Sequence, residues 1–154
     1  MGDAPLSLDA CTIVDNRVDG TFLAGAGVDM AAQPGGHVDR CLLAANRSTG
    51  APGTAAGLLC NRGGLAEAVR ISCTNSWGND GPAFSLQVAD TTGRGNGSED
   101  PLFCTPSVTP WALSDQSPCN AWRLCGRIGS EAVACQLTPV RPMTWGALKA
   151  LPWR

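Results

Sequence analysis

The sequence predicts an all-β fold, a sandwich or small barrel stapled by disulfides, with one or two short helices near the C-terminus. Three observations carry that expectation. Short runs rich in apolar and β-branched residues recur along the chain. Gly, Pro, Asn and Asp interrupt them often, with 19 Gly and 11 Pro in 154 residues. Eight Cys are spread over the whole length, at positions 11, 41, 60, 73, 104, 119, 125 and 135. A chain of this length is near the modal size of one domain, so 1–154 is read as a single unit.

The elements follow in order. Thr12 to Val14 and Thr21 to Leu23 read as strands flanking Asp15-Asn16-Arg17-Val18-Asp19-Gly20, whose Asp19-Gly20 is a turn signal. Val38 to Ala45 follows Pro34-Gly35-Gly36 and carries Cys41. Gly57 to Cys60 and Leu65 to Thr74 read as two arms of a hairpin around Asn61-Arg62-Gly63-Gly64. In the second arm Leu65, Val69, Ile71 and Cys73 share one face, while Arg70 and Ser72 take the other. Ala83 to Ala89 alternates, with Phe84, Leu86 and Val88 inward, and Glu131 to Leu137 is a further strand. Ser117-Pro118 is a suitable N-cap and first helical position, and Gly126 a suitable stop, so Cys119 to Cys125 reads as a short helix. A second helix is expected from Trp145 to Ala150. No internal repeat is evident in the sequence.

Charge and composition exclude several classes of function. A formal charge of −2 and a pI near 5.2, with Arg scattered from Arg17 to Arg154, leave no concentrated basic face for nucleic acid. The longest charge-free stretches, Ser48 to Asn61 and Pro101 to Ser114, hold Gly and Pro and are too short to span a bilayer. Met1-Gly-Asp-Ala-Pro shows neither a basic n-region nor an apolar h-region. That pattern fits a leader already removed, or a virion component released by lysis.

The cysteines say more. Two thiolates reach one metal ion from a single turn when two to four residues separate them, yet the shortest gap here, Cys119 to Cys125, has five between. Zinc, thioredoxin-like and haem-attachment motifs therefore find no support, and no metal or cofactor is expected. The even count, spread over the chain, suits up to four disulfides formed outside the reducing cytosol, with Cys11, Cys41, Cys60, Cys73, Cys104, Cys119, Cys125 and Cys135 all engaged. Buried reduced thiols are the alternative. The expected location is extracellular, periplasmic or on a virion surface.

Four candidate sites stand out. Asp15 to Gly20 resembles a calcium loop but fails on residues: Arg17 stands at the third position and Ala26 where a bidentate Glu is needed. Asn75-Ser76-Trp77-Gly78-Asn79-Asp80-Gly81 is the most site-like segment. Trp77 offers an apolar stacking face, and Asn75, Asn79 and Asp80 offer groups for sugar hydroxyls; the competing reading is a packed Trp before a plain turn. His37 and Asp39 fall on one side of a strand, but no Gly-x-Ser-x-Gly elbow accompanies them, so catalysis is not expected. Asn46-Arg47-Ser48 and Asn96-Gly97-Ser98 match the glycan-acceptor pattern.

The resulting expectation is a non-enzymatic, surface-exposed module for binding or assembly, whose partner is a protein or carbohydrate surface and not nucleic acid or membrane. The alternatives are a structural subunit of a virion or filament (capsid decoration, spike or tail component) and a secreted protease inhibitor. Self-assembly would use the apolar tail residues Leu148, Leu151 and Trp153.

Overall fold

The computed structural model describes residues 6–20, 25–30, 36–49, 56–59, 69–84, 94–104, 110–130 and 132–135. It is mostly strand, and every pair of named strands is parallel. The first pass of the chain forms β1 (Ser7–Asp9), β2 (Thr12–Val14), β3 (Arg17–Val18) and β4 (Val28–Asp29). The second forms β5 (His37–Asp39), β6 (Leu42–Ala44), β7 (Arg47–Ser48) and β8 (Leu58–Leu59), each lying on its counterpart in the first. The third adds β9 (Arg70–Ser72) and β10 (Asn75–Trp77), then touches Leu58 through Phe84. Two further strands, β11 (Leu113–Ser114) and β12 (Val133–Cys135), pair with each other.

The register defines the architecture. Leu8 stacks on Val38 and Val38 on Ile71, and Ile13 stacks on Leu43 and Leu43 on Ser76. The chain steps from Ser7 to His37 between the first two passes and from His37 to Arg70 between the next two, so the second step is slightly the longer. These are the rungs of a β-solenoid, in which each pass buries its apolar side against its neighbour. The strand-rich fold expected is present, but its small parallel sheets do not form a clear sandwich or barrel. The expected hairpins are absent from the described residues too, because the strands pair with the next rung and not with the next strand.

Corners make this geometry. Ala10, Arg40 and Cys73 (φ 51°, 51° and 50°) separate the first strand of each rung from the second. Asp15, Ala45 and Gly78 (φ 55°, 53° and 61°) close the second strand in the same way. A left-handed residue turns the chain and resets which side faces inward, at about 1 kcal/mol for each residue that has a Cβ. The inward positions therefore run Leu8, Cys11, Ile13, Asn16 in the first rung and Val38, Cys41, Leu43, Asn46 in the second. The third gives Ile71, Thr74, Ser76 and Asn79. The spacing three-two-three is neither the strand period nor the helix period. The repeat that the sequence conceals is thus apolar-x-x-Cys/Thr-x-apolar/Ser-x-x-Asn.

Two apolar clusters hold the molecule. Met30, Val38, Cys41, Leu43, Leu58, Val69 and Ile71 fill the solenoid, each fully buried, with Val28 and the partly buried Leu8, Cys11, Ile13 and Phe84 against them. Each fully buried aliphatic side chain there stabilises by about 2 kcal/mol. The second cluster lies outside the solenoid, on the outer face of the sheet β2–β6–β10. Leu42 and Ala44 meet Leu113, Cys119, Trp122 and Ile128 there, with Val14 and Trp77 at the margin. The described residues of 98–135 thus supply a cover over one face of the stack.

The cover is secured at each rung. Trp122 Nε1 donates to Gly95 O in the segment lying against the third, Gly129 N to Arg40 O (2.7 Å) at the second, and Ser130 N to Thr12 Oγ1 (3.0 Å) at the first. Its helical content is smaller than expected. Ser117 does cap, and Pro118 does open the turn, but only a 3₁₀ turn at Pro118–Ala121 forms in place of a helix through Cys125. The expected helix at Trp145–Ala150 lies outside the described residues.

Two disulfides are present among the described residues, Cys73–Cys125 and Cys104–Cys135. The first ties the cover to a solenoid corner; the second closes the cover on itself. Up to four bridges are expected across the eight cysteines; Cys11, Cys41 and Cys119 are free thiols in the structure, while Cys60 lies outside the described residues. Cys11 and Cys41 occupy equivalent positions of successive rungs, where small apolar side chains are wanted, and Cys119 is buried on the inner face of the cover.

Candidate functional site

The segment singled out as a sugar site is built into the solenoid. Asn75 is fully buried, and its side chain copies a backbone pairing: Nδ2 donates to Glu99 O (2.7 Å) while Oδ1 accepts from Glu99 N (2.9 Å). Trp77 is half-buried at the margin of the outer cluster. Asn79 accepts from Asn46 N (2.8 Å) and Asn46 Nδ2 (2.9 Å), and donates to Leu43 O (2.8 Å). Asp80 alone of the four is exposed, and its carboxylate accepts from Ser48 N (3.3 Å). Of the side chains that read as a ligand-binding loop, Asn79 and Asp80 tie the third rung to the second, Asn75 ties it to Glu99, and Trp77 packs beside the outer cluster.

Asn79 belongs to a ladder that runs the height of the solenoid. Asn46 Oδ1 accepts from Asn16 N (3.1 Å) and Asn16 Nδ2 (3.0 Å), just as Asn79 Oδ1 accepts from Asn46. Asn46 Nδ2 also reaches back to Ile13 O (3.1 Å), as Asn79 Nδ2 does to Leu43 O. Each amide thus satisfies backbone groups at a corner where the strand ladder is interrupted. The ladder has a direction: every Asn reaches toward the rung before it. Asn16 has no described rung before it; it is exposed, and its Oδ1 meets no donor among the described residues.

The same end is less well covered throughout. Val38, Cys41 and Leu43 of the second rung are 0% exposed, whereas their first-rung counterparts Leu8, Cys11 and Ile13 are only partly buried. Leu6, just before β1, is 39% exposed. The outer edge of the first rung is therefore an apolar strip bordered by strand backbone with no neighbour among the described residues.

The remaining candidates divide similarly. His37 and Asp39 do point to one side, with Val38 buried between them, but Asp39 is engaged by Ser72 Oγ (2.6 Å) and Arg40 Nε (3.5 Å). Arg40 in turn pairs with Asp9 across the first two rungs (Nε to Oδ1, 3.0 Å). The Asp15–Gly20 segment is a corner followed by β3, with Asp19 bound to Arg17 (2.9 Å) and to Thr49 Oγ1 (3.2 Å). No group of three metal-ligating side chains occurs among the described residues. Neither glycan-acceptor Asn offers a free amide. Asn46 is fully buried, and Asn96 accepts from Thr74 N (2.9 Å) and donates to Ile71 O (3.0 Å).

Burial also sets the chemistry of the thiols. Desolvation pushes the Cys41 thiol up to about 12, from an ordinary value of 9.0, and raises the Cys119 thiol for the same reason. Both are protonated packing groups at neutral pH, not nucleophiles. No described helix is long and apolar enough to cross a membrane. Leu148, Leu151 and Trp153, the expected assembly residues, lie outside the described residues. Comparison with protein-family models, with curated proteins and with solved structures finds no match for this chain.

Proposed function

We propose that this chain is a non-enzymatic module working by assembly outside the reducing cytosol, and that two copies join through their first rungs, edge to edge. One observation carries the reading: burial falls from complete in the second rung to partial in the first, and the Asn ladder ends there on an unfilled acceptor. What fills such an edge is another rung, since the strip repeats the stacking groups that the solenoid already uses against itself. A second copy of the chain carries that complement, and an isologous contact closes without forming an open filament. The two disulfides support the compartment, because such bonds persist where thiol reductants are scarce.

Light scattering on the purified chain tests the proposal. A dimer is expected, and Ile13→Asp, which places a charge in the strip, is expected to yield monomers with an unchanged circular dichroism spectrum. A wild-type chain that stays monomeric at the highest soluble concentration overturns it, as does a dimer indifferent to Ile13→Asp. Deuterium exchange adds a check, since protection on dimerisation is expected at 7–18 and not in the cover.

A further inference from the structure

The two disulfides stand in opposite surroundings. Cys73 and Cys125 border a cleft of about 430 Å³ whose other lining residues are Arg94, Gly95, Asn96, Arg123 and Leu124. Cys104 borders a cleft of about 240 Å³ lined otherwise by Phe103, Pro110 and Trp111, with no cation. In the first cleft, Arg123 shares its charge with Glu99 (3.2 Å) and lies 5.2 Å from the Trp122 ring centre, while Arg94 has no ion-pair partner among the described residues. Both guanidiniums are exposed, and the balance of charge around the sulfurs is positive.

The backbone keeps this disulfide close to the cleft. Gly95 lies directly over it, at φ +73°; a Cβ there would come within 2.7 Å of Cys125 Sγ and 3.6 Å of Cys73 Sγ. Leu124, which also lines the cleft, is fully exposed at 103%. The bond also spans a boundary. Cys73 is a solenoid corner and Cys125 belongs to the cover, so its scission removes the one disulfide between solenoid and cover among the described residues, whereas scission of Cys104–Cys135 leaves that disulfide intact.

From these observations we infer that Cys73–Cys125 is a thiol-exchange site for small anionic thiols, and that its reduction unlatches the cover from the solenoid. A thiolate attacks one sulfur, the sulfur–sulfur bond breaks, and the other cysteine leaves as a thiolate beside the guanidiniums. A second molecule of the same thiol resolves the mixed disulfide. Two thiols are thus oxidised to their disulfide, and the two cysteines take up the electrons and the two protons. Positive charge helps twice, by concentrating an anionic attacker and by stabilising the departing thiolate. The inference does not depend on the assembly proposed above.

Mercaptoethanesulfonate and cysteamine, similar in size and opposite in charge, provide the test. Each is applied to the full chain with rates normalised to thiolate concentration, and opened cysteines are trapped by alkylation and mapped by mass. At low salt the anionic thiol is expected to open Cys73–Cys125 roughly tenfold faster than the cationic one, within the range electrostatic steering gives. The ratio should fall toward one in high salt and in Arg94→Gln, with Arg123→Gln as an independent second variant. Cys104–Cys135 should not discriminate. Cys119, buried on the inner face of the cover, should become alkylated as Cys73 and Cys125 open, which reports the release. Equal rates for the two thiols, a ratio unmoved by salt and by both Arg variants, or earlier opening of Cys104–Cys135 overturns the exchange site. A Cys119 still protected after Cys73–Cys125 is reduced overturns the unlatching.

Discussion

The solenoid and its cover reach a folded state by different means. In the solenoid, three rungs place like beside like, so backbone pairing, side-chain stacking and the Asn ladder repeat the same bonds at each level. No disulfide joins one described rung to another. The cover has two strands of its own, one 3₁₀ turn and two disulfides, and it holds to the stack through a few hydrogen bonds and the apolar side chains beneath it. Repetition lets a chain stabilise itself through near-neighbour contacts. A single non-repeating layer lacks that redundancy, and covalent links limit the disorder of its unfolded state. The contrast explains why both described disulfides involve the cover, while Cys11 and Cys41, inside the rungs, stay free.

Substitution can break that comparison, beginning with the ladder. Asn46→Ala should be the most damaging, at about 4 kcal/mol, because Asn79 Oδ1, Ile13 O and Asn16 N all lose a partner in or near the interior. Asn16→Ala, at the exposed end, should cost less than about 1 kcal/mol. Urea unfolding of both variants measures the difference, and equal costs would mean that the ladder does not act through burial. Next comes the rung interior: Leu43→Ala should cost about 3 kcal/mol, and Ile13→Ala about half that, since Ile13 is only partly covered. If two chains meet at this edge, the Ile13→Ala cost should grow with protein concentration.

The cover should respond more locally. At Gly129, φ is +77° and a Cβ would sit 2.6 Å from Thr12 Oγ1 and 3.3 Å from Leu42 Cβ. Gly129→Val should therefore cost about 2 kcal/mol. Hydrogen exchange should show the loss of protection concentrated in 110–130 and the rungs largely unchanged; loosening spread evenly would erase the distinction between the two regions.

The effect that leaves neutral-pH stability unchanged is a pH dependence. Because folding raises the Cys41 thiol from 9.0 to about 12, the folded state favours the proton, and its stabilisation is complete below pH 9. It should be lost progressively as pH rises from 9 toward 12. Thermal unfolding in that window should show a decline that Cys41→Ala flattens, and Cys41 should resist iodoacetamide in the native protein at neutral pH. Rapid native alkylation would contradict the burial that separates this inner rung from the edge.

Much of the local structure was legible. The inward set Val69 and Ile71 against Arg70 and Ser72, the Ser117 cap with Pro118 after it, and the strand character around Val133 to Cys135 all follow from residue type and spacing. The repeat was not. Left-handed corners at Ala10, Arg40 and Cys73 lack the Gly that would announce them, and they break the alternation that identifies a longer strand. Thr74 and Ser76 stand where the earlier rungs carry Cys and an aliphatic residue, and the step from His37 to Arg70 is longer than the step from Ser7 to His37. The recurrence of Asn at 16, 46 and 79 was the available signal, concealed because Asn is also the common residue of ordinary turns.

The candidate site fared similarly. Asn75, Trp77 and Asn79 were identifiable as unusual, but their chemistry is directed at the protein's own backbone and core. Arg94 and Arg123, well separated along the chain, gave no sign of sharing a cleft. Residue type and composition were enough to establish a β-structure with disulfides, because they act locally or in sum. Which cysteines pair, which asparagines stack and which edge stays open were settled only in the folded molecule. Those outcomes depend on which rung lies against which, and parallel stacking joins residues a whole rung apart that no local pattern connects.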